Sequence, residues 1–82
     1  MAEILYFGRL SDVTGTLSEH VSLPTSVRDT SALRAWLDDR KTLDGALLEP
    51  SVRLAINNEI VADPHPVGDA DEIAFMPPVG GG

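Results

Sequence analysis

Hydrophobic and polar positions along the chain divide it into short strand-like runs around one helical stretch. Ile4, Leu5, Tyr6 and Phe7 form an apolar run without polar alternation, which suits a central strand buried on both faces; a run this short is also compatible with a buried helix. Gly8 ends it, and Gly15 between Thr14 and Thr16 has turn chemistry. Leu17, Val21 and Leu23 then share one face of a second strand, forming a hairpin with the first. Glu19 falls on that same face, so either this strand lies at an edge or the register is shifted by one. Asp29, Thr30 and Ser31 are candidate N-caps ahead of Leu33, Trp36 and Leu37, whose i, i+3, i+4 spacing predicts a helix laying one face on the sheet. Trp36 is expected in the core, and Arg34, Asp38, Asp39 and Arg40 in water.

Beyond the helix, Leu43, Leu47 and Leu48 around Gly45 suggest a short irregular stretch stopped at Pro50. Val52, Leu54 and Ile56 alternate as one face of a strand; Asn57 and Asn58 offer a turn tolerant of positive φ, and Glu59, Ile60 and Val61 a short return strand. Asp63, Pro64, Pro66 and Gly68 are loop chemistry before a last strand over residues 72–76. The order reads ββαββ with one extra turn. Its first strand wants neighbours on both sides, and the last strand is the candidate to pair beside it in parallel, the β-grasp arrangement. The predicted fold class is therefore α+β: a mixed sheet against one main helix, with residues 1–76 as the folded domain and residues 77–82 as a flexible, extended glycine-rich tail.

Composition narrows the chemistry. At 82 residues there is room for one core, and 43% apolar with 23% charged residues is a globular composition. Thirteen acids against six bases give a net charge of −7, the wrong sign for nucleic acid or an anionic membrane and better matched to basic partner surfaces. The absence of cysteine excludes disulfides, thiolate metal sites and catalysis by a thiol of the chain itself. No export signal or membrane-spanning run is visible, so a cytoplasmic setting is expected. His20 and His65 stand apart from any second ligand in sequence and are assigned no metal or proton-transfer role.

The C-terminal segment carries the strongest chemical signal. After Met76 come Pro77, Pro78, Val79, Gly80, Gly81 and Gly82: two residues that favour extended backbone, one apolar contact, then three without side chains. At average usage, three terminal glycines arise by chance in about 3 chains in 10,000. Six such residues reach on the order of 20 Å from the body, suited to a narrow active site belonging to another protein. The group delivered is the carboxylate of Gly82, a poor acyl donor until activated as an acyl-adenylate. The chain has no phosphate-cradling loop between strand and helix and no nucleophile paired with a base, so activation has to come from a partner. On its own it reads as no enzyme.

The sequence resembles the small, sulfur-carrier subunit family of molybdopterin synthase, within the ubiquitin-like β-grasp sulfur carriers. The resemblance rests on Leu5-Tyr6-Phe7-Gly8-Arg9-Leu10, on Val52-Arg53-Leu54-Ala55-Ile56-Asn57, and above all on the run from Gly68 through Glu72-Ile73-Ala74-Phe75-Met76-Pro77-Pro78-Val79 before Gly81-Gly82. It implies that an E1-like enzyme adenylates Gly82 with MgATP, no cofactor being held permanently by the chain. A sulfur donor then converts the adenylate to a thiocarboxylate. The tail enters the large synthase subunit and gives sulfur to a pyranopterin precursor in molybdenum cofactor biosynthesis, within an expected heterotetramer. By the same resemblance Phe75, beside the tail, and Phe7 on the paired strand are expected partner contacts, with Pro77, Pro78, Val79, Gly80 and Gly81 as the inserted segment. Gly80 departs from the family, which more often has a small Ser, Ala or Thr there.

Alternatives stay open: a carrier for thiazole or another sulfur metabolite, a ubiquitin-like modifier conjugated once to a target, and a plain β-grasp interaction domain. A chain-forming modifier needs several acceptor lysines, and Lys41 is the only one. Asp69, Asp71 and Glu72 could steer a basic partner toward the tail, or simply solvate a loop.

Overall fold

The computed structural model describes residues 1–78. Five strands and two helices follow one another as β1 (Ala2–Tyr6), α1 (Leu10–Thr14), β2 (Ser18–Val21), α2 (Thr30–Lys41), β3 (Arg53–Ile56), β4 (Glu59–Val61) and β5 (Glu72–Met76). The strands form one mixed sheet in the order β2-β1-β5-β3-β4. β1 runs antiparallel to β2 and parallel to β5, and β3 is antiparallel to both β5 and β4. The last strand is thus inserted at the centre of the sheet, as the β-grasp reading expects.

Strand alternation decides what each face carries. On the inner face Ile4 opposes Ile73 and Tyr6 opposes Phe75, while Leu54 and Ile56 oppose Phe75 and Ile73 from the other side. These residues join Leu33 and Leu37 of α2, together with Leu10, Val21, Leu47 and Val52, in a single core. Burying an aliphatic or aromatic side chain of this size contributes roughly 1.5–3 kcal/mol, so this layer is the main source of stability. Helix α2 begins where Asp29 accepts a hydrogen bond from the amide of Ala32 at 2.8 Å, and it ends at Thr42, which turns left-handed with φ 54°. The β3–β4 turn uses Asn57 and Asn58 at φ 51° and 72°, the conformation that a two-residue hairpin of this hand requires.

Four expectations are corrected. A short helix, α1, stands where a plain turn was expected: Leu10 is its one buried residue, and Gly15 closes it at φ 82°. Leu17 is 74% exposed and belongs to no strand, because β2 starts only at Ser18. Phe7 lies past the end of β1 and is 48% exposed, so the strand is not apolar-buried throughout residues 4–7. Arg34 and Asp38 are buried. The Arg34 guanidinium donates to the carbonyls of Leu47, Glu49 and Val52 and pairs with Asp63 at 2.9 Å, and the Asp38 carboxylate accepts from the amides of Gly45 and Leu47. Together they replace the backbone partners that the irregular 43–52 segment cannot supply itself. Trp36 is half-buried at the core's margin, with the Arg40 guanidinium 5.2 Å over its ring.

Candidate functional site

Every route to the chain's C-terminal segment passes through the end of β5, so the site is built around its root. Of the sequence-predicted site residues, Phe7, Phe75, Pro77 and Pro78 are described, whereas Val79, Gly80, Gly81 and Gly82 lie outside the described residues. Phe75 is fully buried, stacked on Tyr6 with ring centroids 5.7 Å apart. It is therefore a core residue and not a partner contact, since its inward parity on β5 points it at α2. Phe7 is the opposite case: its amide continues the ladder by donating to the carbonyl of Phe75, and its side chain stands in solvent.

Gly8 follows at φ 56°, and a methyl group there would come within 2.9 Å of the Pro77 ring. The β1–α1 turn and the tail root are therefore in contact, and this position tolerates no side chain on two counts. Gly8→Ala is expected to destabilise by more than the roughly 1–2 kcal/mol that left-handed backbone alone costs. Gly15→Ala, also at positive φ but with open space around it, bears only the backbone cost. Urea denaturation of the two variants checks the difference.

The face of the sheet opposite α2 carries a signal that strand reading had not assembled. Leu5 opposes Ala74, Ala74 opposes Ala55, Ala55 opposes Ile60, and Arg53 opposes Met76. Ile60 is 57% exposed, and Phe7 continues the parity of Leu5. This apolar strip ends at the tail root, where two open grooves flank Pro78. One, of about 350 Å³, is lined by Arg9, Leu10, Val13, Glu49 and Val52; the other, of about 370 Å³, by Ser51, Arg53, Ile60, Met76 and Pro77. The parity of β3, β4 and β5 was readable in the sequence, but not their register, which alone brings Ile60 and Met76 onto one surface.

At the sheet's other edge, the hydroxyl of Tyr6 donates to Glu19 at 2.8 Å, and the ammonium of Lys41 pairs with the same carboxylate at 2.9 Å while lying 5.9 Å from the Tyr6 ring centroid. This accounts for Glu19 on the inner face of β2. Burial, reinforced by the Glu19 hydrogen bond, pushes the Tyr6 phenol well above its usual range, so it remains a neutral donor. Burial alone would raise Glu19; the hydrogen bonds from Lys41 and Tyr6 outweigh it and hold the carboxyl below its ordinary value. Stability contributed by such a depressed carboxyl is present above its unfolded value of 4.5 and is lost as pH falls through the folded value. Thermal melts from pH 7 to pH 3 are expected to fall less steeply for Glu19→Gln than for the native chain.

The acids suspected of steering toward the tail lie elsewhere. Glu3 and Glu72 are paired at the opening ends of parallel β1 and β5, and Asp69 binds the N-terminal ammonium and the amide of Leu23. Those same bonds, led by the Leu23 amide, hold the Asp69 carboxyl below its ordinary value. Asp71 accepts from Asn57 and from the amide of Gly68. These groups order the loops farthest along the strands from the tail root. Among the described residues no group of His, Asp or Glu is arranged to hold a metal ion, and no helix is long and apolar enough to cross a membrane.

A mixed sheet with its last strand at the centre, clasping one helix, defines a ubiquitin-like β-grasp protein. The chain belongs to the ThiS family, which it matches over residues 4–82. It is 36% identical to the molybdopterin synthase sulfur carrier subunit of Escherichia coli (strain K12), covering 100% of both chains. It is 32% identical to the human protein of the same name, over 98% of this chain and 92% of that one. The fold also matches the crystal structure of SAMP1 from Haloferax volcanii with a TM-score of 0.79, 20% identity, and coverage of 99% and 98%.

Proposed function

We propose that this chain is the sulfur-carrier subunit of a molybdopterin synthase, a donor subunit with no catalytic machinery of its own. The observation that carries the reading is the full-length similarity, above 30% identity, to two sulfur carrier subunits from a bacterium and from human. In this reading the Gly82 carboxylate attacks the α-phosphorus of ATP in an E1-like partner, releasing pyrophosphate and forming an acyl-adenylate. A sulfur donor displaces AMP to leave a C-terminal thiocarboxylate. The large subunit then takes up the tail, and the sulfur passes to the pyranopterin precursor. ATP and Mg²⁺ belong to the adenylating partner.

The chain's own contribution is positional. Pro77 and Pro78 hold the tail root extended where it leaves the centre of the sheet, and Phe7, Ile60 and Met76 offer an apolar surface that keeps water from the partner's mouth. A heterotetramer with two copies of the large subunit, and a cytoplasmic setting, complete the proposal.

The test is the intact mass of the chain after incubation with an adenylating enzyme, MgATP and a sulfide source. A gain equal to exchanging one oxygen for sulfur supports the carrier. A covalent adduct of the chain with another protein, and no sulfur, favours a modifier instead. Against self-conjugation stands Lys41, the only lysine, whose side chain is 18% exposed and engaged by Glu19.

A further inference from the structure

Two arginines stand beside the tail root of a chain that is acidic as a whole. Of the six Lys and Arg residues, Arg34 and Lys41 are in ion pairs, Arg40 lies over Trp36, and Arg28 donates to the carbonyl of Thr25. The remaining two, Arg9 and Arg53, are exposed, and among the described residues neither has an ion-pair or side-chain hydrogen-bond partner. Both stand beside Pro78, Arg9 lining the groove on the α1 side and Arg53 the groove on the β3–β4 side. Glu49 shares Arg9's groove without reaching it as an ion pair. The acids Glu3, Asp69, Asp71 and Glu72 gather at the other end of β1 and β5, about 13 Å back along strands rising about 3.3 Å per residue. Among the described residues Arg28 and Arg40 also lack a carboxylate partner, but each side chain is engaged by its own neighbour, so the two cations with no side-chain partner are the pair beside the tail root.

We propose that Arg9 and Arg53 form a two-point cationic clamp around the tail root, docking onto carboxylates that flank an apolar mouth on the large synthase subunit. The proposal rests on the sulfur-carrier reading and adds to it the chemistry of the partner surface. Charge complementarity selects that surface: two guanidiniums on either side of Pro77 and Pro78, continuous with exposed Phe7 and Ile60, match an apolar centre with an acidic rim. The separation between these arginines and the acids Glu3, Asp69, Asp71 and Glu72 also favours an approach with the tail end first toward an acidic face. The expectation of a basic partner, taken from net charge, is reversed at this surface.

The experiment is calorimetric titration of the full chain with the large subunit from the same host, using Arg9→Glu, Arg53→Glu and the remote control Arg28→Glu, each first shown by thermal melt to be folded. Reversal at Arg9 or Arg53 is expected to weaken binding about tenfold at about 0.1 M salt, the scale of a partly desolvated charge pair, and Arg28→Glu to stay within about twofold. Raising salt to about 1 M shortens the screening length from about 10 Å to about 3 Å, which should weaken the native complex and leave the doubly reversed chain nearly unaffected. Native-like binding by both reversals, or an equal loss in Arg28→Glu, overturns the clamp and leaves the carrier reading intact. Failure of the native chain to bind at all overturns both.

Discussion

Deleting Gly81 and Gly82 is expected to abolish sulfur loading outright while leaving the melting temperature within about 3 °C of the native value. The two halves of this result have separate physical origins. Every buried residue of the described chain lies at or before Phe75, so the deletion leaves all of the described core, caps and strands in the chain. The proposed chemistry, in contrast, resides in one carboxylate at the end of a side-chain-free segment. Shortening the chain by two residues draws that group back by about 7 Å. An adenylating site that reads distance from the docked domain cannot then reach it. Intact mass after the loading reaction, with a thermal melt on the same sample, checks both halves. A plain interaction domain predicts that the truncated chain functions normally.

Phe75→Ala is expected to have the largest effect on folding, about 3–5 kcal/mol. A domain of this length typically holds about 4–12 kcal/mol in total, so the variant should melt far below the native chain or fail to fold at 37 °C. Phe75 touches both halves of the core at once: it stacks on Tyr6 of β1, opposes Leu54 of β3 and faces α2. Loss of sulfur transfer in this variant would report lost structure, not a lost contact. Phe7→Ala is the informative comparison, because it should melt close to the native temperature and weaken partner binding. Urea denaturation of both variants, with a binding titration of Phe7→Ala, separates the two roles although the Phe7 amide bonds directly to the Phe75 carbonyl.

Which of these features could be read from the sequence follows from how local each one is. The α2 cap, which falls on Asp29 of the three candidates Asp29, Thr30 and Ser31, the Asn57-Asn58 turn and the apolar strand at residues 72–76 are written in neighbouring residues, and all three elements stand where the sequence puts them. The parallel partnership of β1 and β5 followed from a topological argument about which strand needs two neighbours. Arg34 and Asp38 were misplaced because helical periodicity assigns charged residues to water. Only the tertiary structure shows that the carbonyls of Leu47 and Val52 and the amide of Leu47 in the 43–52 segment take their partners from these two side chains. Helix α1 escaped because five residues with one buried leucine make no periodic pattern.

The same limit applies to the site. The tail is a contiguous run and could be identified by composition, whereas the assignment of Phe75 and Phe7 turned on parity and on where β1 stops. Arg9 and Arg53 are 44 positions apart in sequence, and nothing along the chain brings them to one surface. Arg53 comes beside Pro78 because β3 pairs with β5 with Arg53 opposite Met76, and Arg9 comes to its other side through the Gly8 turn packed on Pro77.

The central placement of β5 also fixes how the molecule bears load. A partner that grips the tail pulls through Pro77 along the axis of a strand bonded on both sides, in parallel to β1 and antiparallel to β3. Such a pull is met in shear by two rows of hydrogen bonds at once, instead of unzipping an edge bond by bond. In the proposed carrier cycle the strand order would make the tail a handle, drawn into one protein and offered to the next while the body behind it stays folded.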